Sequence, residues 1–414
     1  MNPRLLILTQ YFPPEVGAPQ NRLFELAVRL QERGIDVTVL TAMPNYPEMK
    51  IHEAYLGKSY VYEEMQGLKI HRSRIYVPKS KSFLRRLLNY FSFVYTSAYC
   101  GTFKVKGNFD FLLCESPPLF LGLSALWLKN RKKSKMIFNV SDLWPETAEK
   151  LGLVSNKLLL GLSYKLEAYL YKRSVLVTGQ TQGICKNISA RFPNKRTYWL
   201  PNGVDVSYYD VNLIKSNWRV ENKFSDQDFI LLYAGIIGYA QGLEVILDAA
   251  ERTKAFTHIK YILLGSGPEK ERLLSLKEEK KLANVHFING VGKDKMPFIV
   301  SAIDVALIPL KRLDIFKGAI PSKIFENLAM KKPLLLGVEG EAKELFIDEG
   351  KCGVAYEPEN AADLAEKVLY LDNNRALMEE MGARALSYVK EKFNRDTIAG
   401  KFYDIINGLH TSSR

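Results

Sequence analysis

Cysteine and histidine, the side chains that most often hold transition metals, are scarce in this chain of 414 residues. There are four cysteines and five histidines, scattered along the sequence, and no two cysteines stand at metal-ligand spacing. The pattern therefore predicts neither a zinc site nor a disulfide framework, and it favours a reducing compartment.

Long apolar runs are also missing. The two longest, Leu87–Cys100 and Leu119–Leu128, are shorter than the roughly 20 residues that a helix needs to cross a bilayer. At the N-terminus only Leu5–Leu8 is apolar before polar residues and two prolines follow, which is not the pattern of a signal peptide. We therefore expect no membrane-spanning segment and no cleaved leader, and we expect a cytoplasmic protein.

Acidic residues are absent from positions 65–109, which carry nine lysines and arginines. The net charge of +13 lies in the first half of the chain, because residues 1–207 hold 29 basic and 15 acidic side chains whereas residues 208–414 hold 29 and 30. Such a charge attracts anionic lipid headgroups or nucleic acid. Nucleic-acid readers also interleave aromatic and basic residues on a sheet or recognition helix. That pattern is missing, so we expect an anionic membrane surface as partner and no nucleic acid.

The acid-free segment contains an amphipathic helix, predicted over Ser82–Tyr99. One helical face is apolar and the other polar: Leu84, Leu87, Leu88, Phe91, Val94 and Tyr95 against Arg85, Arg86, Asn89 and Ser92. Basic flanks with an aromatic face are typical of a helix that lies in a membrane interface. A helix that packs its apolar face on the core and leaves its arginines in water has the same pattern. We assign Arg85, Arg86 and Phe91 to membrane or acceptor contact, with both interpretations open.

Two stretches repeat one order of elements, namely strand, loop, helix and strand. They are Arg4–Thr9, Gln10–Pro19, Asn21–Arg33 and Val37–Leu40, and then Phe229–Ala234, Gly235–Gly242, Leu243–Lys254 and Ile259–Gly265. This order requires a parallel sheet, and the chain is too long for one ordinary core. We therefore predict an α/β protein with two domains of one architecture, residues 1–206 and 207–392. A C-terminal helix within residues 393–414 is expected to join the first domain.

Both loops join a strand to a helix and carry glycine, Gly17 in the first and Gly235 and Gly238 in the second. Free amides and the helix dipole at such a place favour an anion, although a plain tight turn has the same residues. The second loop lacks the lysine and Ser/Thr of a P-loop and the Gly-x-Gly-x-x-Gly spacing of dinucleotide folds, and Asp248 and Glu251 come too early to be its ribose-binding acid. We therefore expect neither nucleoside-triphosphate hydrolysis nor NAD-linked oxidation.

The segment Phe316–Glu326 predicts a nucleotide site. Pro321 suits the first turn of a helix and Ser322 can cap it. Lys323 adds a cation where the amides point outward, so that the three residues would hold a diphosphate. Glu326 follows at i+3 and could accept hydrogen bonds from two ribose hydroxyls. The alternative is an ordinary capped helix with an ion pair between Lys323 and Glu326.

Asp142 follows the predicted strand Met136–Val140, so it lies at the carboxyl end of a strand, where α/β folds place their ligands. Trp144 and Pro145 next to it suggest a rigid wall for a sugar ring. An aspartate in this place is often only a helix cap.

Taken together, these segments resemble glycosyltransferase family 4, a large family with the GT-B fold. The resemblance is carried by Gln10–Leu30, Ser141–Glu146, Leu200–Asp205, Tyr233–Leu243, Gly265–Pro268 and Ile320–Glu326, and it covers nearly the whole chain. Within the family the chain is similar to bacterial surface-polysaccharide enzymes such as fucosamine (6-deoxy-HexNAc) transferases. The resemblance implies two Rossmann-like domains facing across a cleft, the first for the acceptor and the second for a nucleotide-sugar donor. It also implies retention of the anomeric configuration, with no metal and no cofactor beyond the donor substrate.

The resemblance matches Glu326 to the glutamate that grips the ribose and places Val291 where the backbone reads the base. The full set of expected donor-binding residues is Gly17, Gly235, Gly238, Gln241, Gly265, Gly267, Val291, Pro321, Ser322, Lys323 and Glu326. The family's other paired glutamate would fall on Gly318, and its frequent active-site histidine is replaced by Ser141. Where the family has arginine and lysine for the diphosphate, this chain has Ile236 and Gln241, so Lys323, with Lys311 or Arg312, would supply the positive charge.

The sequence thus predicts transfer of a sugar, expected to be an N-acetyl amino sugar, from a UDP-sugar to a lipid-diphosphate-linked saccharide in O-antigen, capsule or exopolysaccharide synthesis. The enzyme would lie on the inner face of the cell membrane. Asp142 and Lys323 are the expected catalytic residues. Asp226-Gln-Asp228 matches the motif of metal-dependent glycosyltransferases, but its position before a strand favours a solvated turn. A sugar-nucleotide epimerase of the same fold, which would need no lipid acceptor, is the alternative.

Overall fold

The computed structural model describes residues 2–15, 17–46, 49–78, 83–150, 152, 154 and 156–411. The chain divides into two compact units, Met1–Asn202 with Arg395–Arg414, and Gly203–Asn394. The sequence placed these divisions a few residues away, after residues 206 and 392. Within the described part of the chain, no helix is both long enough and apolar enough to cross a bilayer.

The first unit is built on an eight-stranded sheet. Its strands are β1 (Arg4–Leu8), β2 (Asp36–Ala42), β3 (Tyr60–Met65), β4 (Leu68–Ser73), β5 (Phe111–Ser116), β6 (Lys135–Val140), β7 (Leu176–Gly179) and β8 (Thr197–Trp199). Its helices begin with α1 (Ala18–Glu32), α2 (Phe83–Phe103), α3 (Leu121–Arg131), α4 (Glu146–Lys150), α5 (Lys157–Arg173) and α6 (Gln182–Arg191). The strand order is β3-β4-β2-β1-β5-β6-β7-β8. Only β3 and β4 pair antiparallel in this described sheet; the other neighbours are parallel.

The second unit has a six-stranded sheet in the order β11-β10-β9-β12-β13-β14, and its described pairs are all parallel. These strands are β9 (Phe229–Ala234), β10 (Ile259–Leu264), β11 (Val285–Ile288), β12 (Val305–Pro309), β13 (Leu334–Gly337) and β14 (Gly353–Ala355). The helices are α7 (Trp218–Glu221), α8 (Glu244–Arg252), α9 (Lys270–Glu279), α10 (Met296–Ala302), α11 (Lys323–Ala329), α12 (Glu341–Lys343), α13 (Ala361–Asp372) and α14 (Arg375–Lys392). A last helix, α15 (Arg395–Thr411), belongs to the first unit.

The predicted α/β class is confirmed, and the strands follow from the sequence. Leu5–Leu8 of β1 and the whole of β9 are continuous apolar runs whose side chains are almost wholly buried, as expected for strands with helices on both sheet faces. β9 agrees with its predicted range residue for residue. The predicted helix after β1 begins three residues early, at Ala18, because Pro19 fits the first turn of a helix.

The C-terminal helix packs on α1 through apolar and charged contacts. Phe402 and Ile406 of α15 share a buried cluster with Leu26 of α1. At the start of α15, Asp396 Oδ1 accepts a hydrogen bond from Arg29 Nε at 3.0 Å. These contacts explain why the last helix belongs with the first unit although more than 190 residues of sequence separate it from β8.

Candidate active site

In the second unit, the glycine loops that follow β9 and β10 cross in close contact. A Cβ atom on Gly265 would lie 1.9 Å from the carbonyl oxygen of Gly235, and one on Gly267 would lie 2.3 Å from that of Ile237. Both glycines have positive φ, 151° and 155°, a region that other residues avoid. Close backbone packing at the carboxyl edge of the sheet is therefore the structural reason for glycine at these two positions.

Lys323 extends from α11 to the end of β9. Its Nζ lies 3.8 Å from the ring centroid of Tyr233, and a Cβ on Gly235 would come within 2.9 Å of that Nζ. The Tyr233 hydroxyl donates a hydrogen bond to the Ile236 carbonyl at 2.6 Å and so holds the loop. Burial lowers the pKa of Lys323 to about 7, while the charge of Glu326 acts in the opposite direction. The structure thus brings Gly235, Lys323 and the β9 loop together at one strand end.

The start of α11 differs from the prediction. Ser322 holds the N-cap position, but its side chain makes no capping hydrogen bond, and Pro321 precedes the helix instead of lying in its first turn. The reason is the backbone of Ser322, whose φ of −60° and ψ of −28° are already helical. A capping side chain needs an extended backbone to reach back to the amides. The expected cap is therefore wrong, and the cation at this place is the side chain of Lys323.

The loop between β9 and α8 exposes two large side chains, Ile236 and Tyr239. Lys311 Nζ lies 3.2 Å from the ring centroid of Tyr239, so this lysine stays next to the loop. Gln241 lies in a short 3-10 turn and its backbone N–H donates to the Gly238 carbonyl at 3.1 Å.

Arg312, the other expected cation, is engaged elsewhere. Its guanidinium forms ion pairs with Glu339 at 3.1 Å and with Glu357 at 2.7 Å. These two carboxylates neutralise the positive charge of Arg312, which the sequence analysis assigned to binding the diphosphate.

Sequence reasoning missed two residues at this edge of the second sheet. Lys270 Nζ donates to Asn289 Oδ1 at 2.7 Å and lies 3.4 Å from the Gly265 carbonyl oxygen. Tyr208 donates to the Lys293 carbonyl at 3.3 Å, and burial raises its pKa, with smaller contributions from the charges of Asp294 and Glu326. Lys270 could have been found from its place two residues after Gly265–Pro268. Tyr208 had no comparable signal.

In the first unit, a buried charge network lies where β5 and β6 end. Arg22 Nη2 is 2.7 Å from Glu115 Oε1 and donates to Ser141 Oγ at 2.6 Å. The Ser141 hydroxyl and the Asn139 amide both donate to Glu115, and Thr178 Oγ1 donates to Asn139 at 2.5 Å. Ser141, which replaces the family's histidine, is therefore held by a fixed ion pair.

Asp142 comes next along the chain and is half-buried. Its Oδ1 accepts a hydrogen bond from Thr147 Oγ1 at 2.7 Å. Burial raises the pKa of this carboxyl, and the Thr147 bond offsets part of that rise. Gly17, on the neighbouring loop, has an extended backbone with φ 174°, so its conformation does not demand glycine.

Helix α2 turns its apolar stripe outward. Its buried face carries Asn89, Phe93, Ser97 and Cys100, whereas its exposed face carries Leu88, Phe91, Tyr95, Tyr99 and Phe103. Arg85 and Arg86 are exposed, and the side chain of Leu84 and residues 79–82 lie outside the described part. Asn89, which the sequence assigned to the polar face together with the arginines, is buried. Its amide oxygen accepts from Gln10 at 3.0 Å and its Nδ2 donates to the Tyr76 carbonyl at 2.6 Å. Because Leu88, Phe91 and Tyr95 are exposed, the interpretation that the apolar stripe packs on the core is wrong.

Asp228 closes a turn before β9. Its Oδ2 accepts a hydrogen bond from the Ser225 amide at 2.7 Å, and Asp226 in the same turn is exposed. Over the residues that the structure describes, no group of three or more His, Cys, Asp and Glu side chains is arranged to hold a metal ion.

Two family models match the chain, one on each unit. The model described as "Glycosyltransferase Family 4" matches residues 20–208, and the one described as "Glycosyl transferases group 1" matches residues 214–387. A protein of Escherichia coli (strain K12) named for colanic acid biosynthesis, the glycosyl transferase WcaI, is 24% identical over 98% of this chain and 100% of its own length. The O-antigen chain mannosyltransferase C of Escherichia coli is 20% identical over 98% of each chain.

The fold has a solved counterpart in HepE of Anabaena, whose crystal structure contains UDP and glucose. The two chains are 14% identical, with a TM-score of 0.69 over 98% of this chain and 100% of HepE. At this identity the likeness shows the fold alone. Two mostly parallel-sheet units and this neighbour confirm the predicted GT-B class.

Proposed function

Because this chain belongs to glycosyltransferase family 4, we propose that it transfers a sugar from a UDP-sugar to a saccharide carried on a lipid diphosphate, in the synthesis of a surface polysaccharide. The full-length relatives named for colanic acid and O-antigen support the polysaccharide. The UDP and glucose bound to HepE support the donor class. The observation in this chain that carries the proposal is the Lys323 ammonium at the end of β9.

Lys323 would bind the diphosphate of the donor and stabilise it as it leaves. In the free protein its pKa is lowered to about 7 by burial. An arriving diphosphate favours the charged form of the lysine, because an opposite charge a few ångström away raises the pKa. The ammonium would then act where negative charge develops during transfer, in a place shielded from water. Lys323 would thus supply the positive charge that arginine and lysine supply in the family, where the loop after β9 of this chain has Ile236 and Gln241.

The rest of the donor would lie along the same sheet edge. Glu326 would accept the ribose hydroxyls, and its charge contributes to the raised pKa of Tyr208. The backbone at Val291, which is exposed, would read the base. Transfer would keep the anomeric configuration and use no metal, as the family resemblance implies.

The first unit would bind the acceptor. Asp142 would orient the acceptor hydroxyl or stabilise positive charge at the anomeric carbon. The outward stripe of α2, with Arg85 and Arg86 at its start, would rest on the anionic inner face of the cell membrane. An epimerase acting on free sugar nucleotides has no use for such a surface.

The donor site is tested by the binding of UDP-N-acetylglucosamine to Lys323→Gln, measured by titration calorimetry near pH 6.5. Loss of a charge-assisted contact should raise Kd by about ten- to a hundredfold. The matched control is Lys317→Gln, because Lys317 lies in the same segment but is exposed and pairs with Asp314 at 2.7 Å. Equal affinities for wild type and Lys323→Gln would contradict the proposed role. Formation of an epimer from the donor without any acceptor would favour the epimerase.

A further inference from the structure

A cavity of about 220 Å³ opens in the first unit between α2, α5 and the segment that follows Asp142. Its walls are mostly apolar and include the side chains of Leu87, Tyr90, Phe120, Trp144, Leu159 and Leu160. Trp144 stands two residues after Asp142. The cavity is therefore next to the carboxylate proposed to orient the acceptor, and its lining residues all belong to the first unit.

The guanidinium of Arg86 lines this cavity. Arg86 is exposed and forms no ion pair with the described residues, and the chain around it has no acid between Glu64 and Asp110. Burial raises the pKa of the Tyr90 hydroxyl, and the positive charge of Arg86 offsets part of that rise. The site thus combines an apolar cavity with an unneutralised guanidinium, a combination that suits a phosphate joined to a hydrocarbon chain.

The surface outside the cavity is apolar as well. Leu88 of α2 is 58% exposed, and Leu158 and Leu162 of α5 are 74% and 55% exposed. These side chains lie within one turn of residues that line the cavity. A hydrocarbon chain leaving the cavity would therefore pass onto apolar surface and not into water.

We propose that this cavity binds the phosphate-proximal part of the lipid acceptor's hydrocarbon chain, with Arg86 contacting the phosphate. The inference rests on the proposed function, which supplies the lipid-linked acceptor, and it assigns that acceptor a site. Bulk phospholipid is not the expected occupant, because the exposed stripe, and not a cavity next to Asp142, is the surface that a bilayer would cover.

Three probes separate the parts of this ligand: farnesyl diphosphate, farnesol and inorganic pyrophosphate. Binding is followed by calorimetry and by the fluorescence of Trp144, with Trp144→Phe to identify its signal. Farnesyl diphosphate should bind at least about tenfold more tightly than pyrophosphate, because only it fills the apolar cavity. Equal affinities would overturn the proposal. Competition by vesicles of phosphatidylcholine and phosphatidylglycerol as strong as by farnesyl diphosphate would show a bulk-lipid surface instead and would also overturn it.

Neighbouring residues on α5 give a matched pair of variants. Leu159→Gln places an amide in the cavity wall and should weaken farnesyl diphosphate about tenfold or more, whereas Leu158→Gln changes an exposed side chain and should leave that affinity unchanged. Leu87→Gln repeats the test from α2 in case Leu159→Gln does not fold. Arg86→Gln should weaken farnesyl diphosphate and not farnesol. Equal losses for Leu158→Gln and Leu159→Gln would contradict a cavity site.

UDP-N-acetylglucosamine binding is measured on every variant. Its retention, together with lost farnesyl diphosphate binding, supports the cavity. If the wild type binds the donor but not farnesyl diphosphate, only the inference fails. If it binds no nucleotide-sugar, the proposed function fails.

Discussion

The two units share one sheet architecture but use it differently. At the sheet edge of the second unit, backbone meets backbone: Gly265 crosses Gly235 so closely that no side chain fits. At the corresponding edge of the first unit, side chains meet side chains, with Arg22, Glu115 and Ser141 in one buried network. The first unit also exposes an aromatic stripe in a basic context, whereas residues 208–414 are close to neutral. Similar α/β sheets can therefore carry a close loop crossing in one unit and a basic surface with exposed aromatic side chains in the other.

The largest effect is expected from breaking the network of the first unit. Arg22→Ala leaves Glu115 buried without its cation, so the first unit should lose about 3–5 kcal/mol of unfolding free energy. The comparison in the second unit is Arg272→Ala, whose partner Glu244 is about half exposed, and it should cost at most about 1 kcal/mol. Hydrogen exchange of the β5 and β6 segments measures the loss locally. Similar losses of unfolding free energy in the two variants would contradict the expectation that burial makes the Arg22–Glu115 pair more important for stability than the exposed pair.

The second largest effect concerns the glycine crossing. Gly265→Ala puts a methyl group on the Gly235 carbonyl and a side chain at positive φ, so it should destabilise the second unit by about 3 kcal/mol. Gly161→Ala is the counterpart in the first unit. It lies within α5 with open space around it and should stabilise by about 1 kcal/mol. Urea denaturation gives both values, and a neutral Gly265→Ala would remove the packing reason for glycine.

Features set by a local sequence pattern could be predicted, and features set by contacts between distant residues could not. β9 was predicted residue for residue, because a short buried apolar run leaves little choice of boundary. The helix α2 was predicted from its period, but the face that turns inward was not. Asn89 is buried through Gln10, a partner 79 residues away, and Arg22 meets Glu115 across 93 residues. Such pairings depend on the assembled sheet and leave no local pattern.

A third comparison concerns exposed apolar side chains, which both units have. Tyr95 on the α2 stripe is 74% exposed and Leu213 in the second unit is 78% exposed. We expect Tyr95→Ser to weaken cosedimentation with phosphatidylglycerol vesicles roughly tenfold, since one large apolar contact with the bilayer is lost. Leu213→Ser should have no effect, because residues 208–414 carry no excess of basic side chains that would attract an anionic bilayer. Neutralising Arg85 and Arg86 or raising the salt concentration should also release the protein. Equal losses for Tyr95→Ser and Leu213→Ser would refute a membrane face specific to α2.

The smallest effect is the pH dependence of donor binding in the second unit. Lys323 has its pKa lowered from its ordinary value of 10.5 to about 7, so raising the pH from 6 to 8 removes its proton in the free protein. A bound diphosphate restores the charge, and binding above pH 7 must therefore take up a proton, which weakens it by at most about tenfold per pH unit. UDP-N-acetylglucosamine is the right probe because its diphosphate is a diester, whereas the terminal phosphate of UDP itself titrates near pH 6. Between pH 6 and 8 its Kd should rise severalfold in the wild type and stay flat in Lys323→Gln. The same slope in both proteins would mean that another group titrates, and that the cation at the end of β9 does not bind the donor.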